Sequence, residues 1–152
     1  MTMKLALHLL LLAAASTSQA QTNCIINANY NQSVNSILES ARFDGWSAAN
    51  YTKMCEKLKR ANARVVITGV ATVMQNASFA WVQLSLEDMD LPIGPGSGYS
   101  AYSMRSSPRA DVSVANEMFL KAMNDALDGW TSIDTATKEL GVVRAKLKKS
   151  LK

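Results

Sequence analysis

The chain has 152 residues, 48% of them hydrophobic, with 16 basic and 12 acidic side chains, two cysteines and one histidine. That length suits one domain with a real core, and the apolar fraction is too high for a disordered chain. A formal charge of +4 is too mild to mark a nucleic-acid binder.

At the N-terminus, Lys4 precedes the apolar run Leu5 to Ala15 and the small polar run Ser16 to Ala20. This is the order of a secretory signal peptide, with cleavage expected after Ala20. About 11 apolar residues fall short of the ~20 that a membrane span needs. The expected organisation is a signal peptide over 1–20 and a single α+β domain over 21–152, secreted or periplasmic after processing. Cleavage would remove His8, the only histidine. Ser–His and Cys–His nucleophile pairs, histidine general bases and histidine-ligated metals are then excluded, and no enzyme activity is expected. Cys24 and Cys55 survive cleavage and, in an exported chain, are expected to form a disulfide. It would close a loop of about 32 residues, worth about 3–4 kcal/mol in the chain-entropy model.

Helical spacing of Tyr30, Val34, Ile37, Leu38 and Ala41 predicts a first helix over 29–42, stopped by Asp44–Gly45. Ser47 is expected to cap a second helix running to about Asn62, with Ala48, Tyr51, Cys55 and Leu58 inward. Residues 64–74 and 78–88 are β-branched and aromatic and predict a hairpin about a four-residue turn, 75–78. Pairing Met74 with Phe79 sets Ile67, Gly69, Ala71 and Val73 opposite Leu86, Leu84, Val82 and Ala80 on one apolar face. Val66, Thr68, Val70, Thr72 and Met74 share the other, mixed face with Glu87, Ser85, Gln83, Trp81 and Phe79.

Residues 91–108 hold all three prolines and three glycines and read as a long loop, with a poorer third strand possible over 99–105. A helical stripe returns at 111–127, and Thr131 or Ser132 caps a last helix carrying Ile133, Ala136, Leu140, Val143 and Leu147. The segments Phe43–Asp44–Gly45–Trp46–Ser47 and Leu127–Asp128–Gly129–Trp130–Thr131 echo each other, best read as shared turn chemistry. The expected fold is α+β: two helices, an antiparallel hairpin or three-stranded meander, then two helices, with the helices covering one sheet face.

Partner binding is assigned to Met74, Phe79 and Trp81 at the hairpin tip and to Tyr99, Tyr102 and Arg105 of the 91–108 loop. An apolar patch and a Tyr/Ser-rich loop both suit recognition of another protein. The expected partner is another exported or envelope protein, in an inhibitor or immunity-type role. A second reading is a carrier of a small apolar or lipid ligand held between sheet and helices. A third is a carboxylate-dependent glycan hydrolase using Glu87, Asp88 and Asp90. Gly94–Pro95–Gly96–Ser97–Gly98 lacks the Lys and the following helix of a phosphate loop. Neither a metal nor a cofactor is expected. Basic residues fall at two poles, Lys53 to Arg64 and Arg144 to Lys152. With no aromatics interleaved, the basic last helix suits weak contact with an anionic membrane surface better than nucleic acid.

Overall fold

The computed structural model describes residues 24–151, so the expected signal segment lies outside the described residues. The described chain is α+β, in the order β1 (Ala28–Tyr30), α1 (Gln32–Ser40), α2 (Tyr51–Arg60), β2 (Ala63–Met74), β3 (Ala77–Asp88), a 3₁₀ turn (Ser97–Tyr99), β4 (Ala101–Ser107), α3 (Val112–Asp128) and α4 (Ile133–Ser150). The four strands form one sheet in sequence order. β1 runs parallel to β2, and β2, β3 and β4 are antiparallel neighbours.

The expected disulfide is present, joining Cys24 to Cys55 in the middle of α2 with Cα atoms 5.9 Å apart. The Tyr51 hydroxyl reinforces it by donating to the Cys24 carbonyl (2.9 Å) and accepting from the Ile26 amide (3.2 Å). Held in this way, the segment leads directly into β1, which the helical spacing had concealed. Tyr30 belongs to that strand, and α1 starts only after Asn31, whose side chain accepts from the Val34 amide at 2.9 Å.

Two expected helix boundaries shift for local reasons. α1 stops before Gly45: Arg42 takes the left-handed conformation (φ 52°), and the Phe43 amide donates back to the Leu38 carbonyl. Ser47 does not cap α2. Its amide donates to Asn124, and the Ala49 and Asn50 amides both donate to the Asp128 carboxylate at the end of α3. One carboxylate thus satisfies the start of a helix some 80 residues earlier in the chain.

The hairpin register is two residues off the sequence expectation. Met74 pairs with Ala77 across a two-residue turn, so Ile67 faces Leu84 and Gly69 faces Val82. Ser78 is a fully buried strand residue rather than part of the turn. Its hydroxyl lies 2.6 and 2.8 Å from the Arg109 and Asp111 carbonyls and accepts from the Asp111 amide. A slip of two leaves every side chain on its expected face. The apolar face, with Val65, Ile67, Ala80, Val82 and Leu84, is buried in a core shared with all four helices. Gly69 is required there: a Cβ would stand 2.3 Å from the Trp81 carbonyl and 2.9 Å from the Phe119 ring of α3.

Seven residues of the expected 91–108 loop form strand β4, displaced by two residues from the anticipated 99–105. The remainder folds back on the sheet. Gly94 passes so close to the Leu86 carbonyl that a Cβ would sit at 2.4 Å, and the Asp88 amide donates to the Ile93 carbonyl. The two Gly–Trp corners differ in geometry: Gly45 has φ +146°, whereas Gly129 lies in ordinary space at −85°. Trp46 packs edge-on against Phe43, while Trp130 is buried and donates to the Tyr99 carbonyl at 2.8 Å.

Candidate interaction surface

Among the described residues, no helix covers the second face of the sheet. Strand pairing sets Val70, Trp81 and Met104 side by side across β2, β3 and β4, flanked by the rows Thr72–Phe79–Ser106 and Thr68–Gln83–Tyr102. Val70 is 40% exposed, Met74 61%, Tyr102 62% and Met104 69%, with Phe79 and Trp81 half-buried between them. Trp81, Tyr102, Ser103 and Met104 line a shallow depression at the β3–β4 seam. Single exposed apolar residues are common on surfaces, whereas a contiguous aromatic and methionine patch is characteristic of binding sites.

β4 is also the outer strand of the sheet. Among the described residues, its main chain makes backbone hydrogen bonds to β3 and to nothing beyond it. Alternate amides and carbonyls of 101–107 therefore point outward beside the Tyr102 and Met104 side chains. Such an edge is a template for an added strand unless charge, proline or a bulge guards it. Here the one charged residue of the strand, Arg105, is turned the other way.

The structure thus brings together Met74, Phe79, Trp81 and Tyr102 of the expected binding residues and separates the other two. Arg105 pairs with Ala80 on the helix side and donates to Asp125 of α3 at 2.5 Å. Tyr99 packs against the core, and its carbonyl accepts from Trp130 and from the Ser132 hydroxyl at 3.0 Å. Met104 and Val70 were missed. The alternation through Tyr102, Ser103 and Met104 carried the signal for Met104, since i and i+2 share a face.

The three clustered carboxylates are each engaged with a partner. Glu87 accepts from Arg64 (2.6 Å) and Asn29 (3.1 Å), and Asp90 accepts from Asn62 at 2.8 Å. Asp88 is buried under α4, where one oxygen accepts from the Asp90 and Leu91 amides and the other from Arg144. Burial pushes the Asp88 carboxyl up, but the two amides and Arg144 together outweigh it and hold the group below the usual carboxylate range. Arg144 also donates to the Ala61 and Asn62 carbonyls at 2.7 Å, locking α4 onto the turn between α2 and β2. Among the described residues, no three His, Cys, Asp or Glu side chains converge as a metal site.

No protein-family model, curated protein or solved structure matches the chain. Its functional reading therefore rests on the residues themselves.

Proposed function

We propose that the chain is an exported, disulfide-containing binding protein that docks another exported or envelope protein, in an inhibitor or immunity-type role. The observation that carries the reading is the Val70–Trp81–Met104 row lying against the unpaired β4 edge. Apolar side chains there offer affinity, and the outward main-chain groups offer hydrogen bonds of fixed spacing. Export is supported by the signal-like order of residues 1–20 and is compatible with the Cys24–Cys55 disulfide, which persists in oxidising compartments.

Binding is favoured over catalysis because the chain has no histidine after His8 and its clustered carboxylates are tied to Arg64, Arg144 and Asn62. The carrier reading gains no support from the sheet–helix interface, where Phe119, Met123, Val82 and Leu84 are fully buried.

A photo-reactive phenylalanine placed at position 102, with Glu117 on α3 as the control position, tests the reading in the native host's envelope extract. The expected result is one discrete adduct at position 102 and none at 117, identified by mass spectrometry and rebuilt from the two purified proteins. Met104→Lys should weaken the rebuilt complex by about tenfold or more, the effect of burying a charge in an apolar contact. Adducts to a second copy of this chain, equal adducts at both positions, or no adduct at all would each overturn it.

A further inference from the structure

The two basic poles of the sequence meet in the structure at Arg144. Arg144 bonds the carbonyls of Ala61 and Asn62 just past the end of α2, so the end of α2 lies beside α4 about two turns before α4 ends. Lys57 pairs with Asp134 of α4 at 2.5 Å, and Lys57, Arg60 and Lys138 line one cleft between the two helices. Lys53 and Arg60 add their fields at the same carboxylate, which is held below its usual range, first by the Lys57 hydrogen bond. Acids share the region too: Asp134 is paired with Lys57, Asp88 with Arg144, Asp90 accepts from Asn62, Asp128 lies beside Lys53 and Lys57, and Glu56 and Glu139 stand on the same helices.

Beyond this junction α4 outruns the body of the protein. Its inward stripe is fully buried at Ile133, Ala136 and Leu140 and then continues as Val143, Leu147 and Leu151. Val143 and Leu147 are half-buried, and Leu151 is 79% exposed. At 100° per residue, Lys146 and Lys148 fall on opposite sides of this stripe, with Lys149 behind it. The last two turns therefore present an apolar strip flanked by ammonium groups, attached to a body that adds Lys59 and Arg60 at the end of α2, whereas Lys57 is held by Asp134 at the start of α4.

We propose that this end of the molecule, formed by the last two turns of α4 and the end of α2, is a docking surface for an anionic phospholipid bilayer. Charge complementarity selects the anion, and the tapering stripe selects a bilayer over a free ion. The lysine stems and leucines enter the interfacial region while the ammonium groups stay at the phosphates. The cations are spread along two helices rather than converged on one point, as suits a surface carrying many phosphates. No aromatic residue is interleaved among them to stack on bases, which sets a nucleic acid aside. The surface is independent of the open sheet face, so either proposal can fail without the other.

The test is vesicle co-sedimentation with the oxidised chain starting at Gln21, which holds every element described and lacks the apolar segment Leu5–Ala15. The chain should sediment with phosphatidylcholine vesicles containing phosphatidylglycerol and stay in solution with phosphatidylcholine alone. Binding should fall by about tenfold or more between 0.1 and 0.5 M salt, as screening shortens the reach of the charges. Lys146→Glu with Lys148→Glu should weaken it by about tenfold or more, at about fivefold per charge removed from the surface. Leu147→Ser with Leu151→Ser should weaken it at constant charge, and both double variants should keep the wild-type Tm. Equal sedimentation with neutral vesicles, full competition by millimolar inorganic phosphate, no effect of either double variant, or tighter binding to a single-stranded oligonucleotide would overturn the proposal.

Discussion

The two faces of the sheet are made by the same strands, residue alternating with residue, yet they meet different fates. On one face Val65, Ile67, Val82 and Leu84 are sealed under helices, and Gly69 leaves just enough room for Phe119. On the other, Val70, Met74, Tyr102 and Met104 remain at the surface, although their apolar character is comparable. Hydrophobicity alone therefore does not assign a role here. A covered apolar residue contributes to stability in proportion to the area it removes from water, whereas an uncovered one leaves that free energy for a partner.

Substitutions that separate stability from binding test this contrast. The largest expected effect is on the covered face. Phe119→Ala should cost about 3–5 kcal/mol in denaturant unfolding, because the void between α3 and Gly69 cannot collapse onto a strand already in contact. A loss below about 1 kcal/mol would mean that the sheet–helix interface is looser than the burial implies. Next comes the tie that brings the chain into β1. Replacing Cys24 and Cys55 by Ser should cost about 3 kcal/mol, and the midpoint should become insensitive to reductant.

Asp88 lies on the covered face at its far end, and Asp88→Asn should cost about 2–3 kcal/mol by leaving Arg144 without a counter-charge. It also has a pH signature. A carboxyl whose folded pKa lies below its unfolded value contributes stability that is full above the ordinary carboxylate range and is lost as pH falls through the folded value. Unfolding free energy should thus hold steady from about pH 7 to pH 5 and fall below about pH 4, with a shallower fall in Asp88→Asn. The smallest effect belongs to the open face. Met104→Ser should change stability by no more than about 0.5 kcal/mol while removing part of the proposed docking row. A large destabilisation there would show that the open face is structural, and the contrast between the faces would fail.

Much of this arrangement is legible in the residues. The two apolar stripes of α3 and α4 and the face assignment of β2 and β3 follow from spacing, and the disulfide follows from an even cysteine count behind a signal-like segment. The cap at Asp111, which accepts from the Ser113 and Val114 amides, is a finding of the structure. The candidate surface is legible at Met74, Phe79 and Trp81, whose positions follow from period-two alternation near a turn, and at Tyr102 through the Tyr/Ser-rich composition of its segment. The same composition includes Tyr99 and Arg105, which the structure turns elsewhere. Composition does not say that the Tyr99 carbonyl meets Trp130 or that Arg105 faces Asp125.

What the sequence determined by itself is what depends on neighbours a few residues apart: periodicity, helix stripes and the one possible cysteine pair. What the tertiary structure alone decided involves groups far apart in the chain. A hydrophobic pattern of period two is unchanged by a slip of two, so the hairpin register waited on the turn and on the buried Ser78 hydroxyl. A three-residue strand leaves no periodic trace, so β1 needed the disulfide and Tyr51 to set it beside β2. The start of α2 depended on the Asp128 carboxylate from the end of α3. Two basic stretches more than 70 residues apart meet because Arg144 satisfies both a buried carboxylate and two open carbonyls. Each of these choices was made by a group whose partner lay beyond the reach of local pattern.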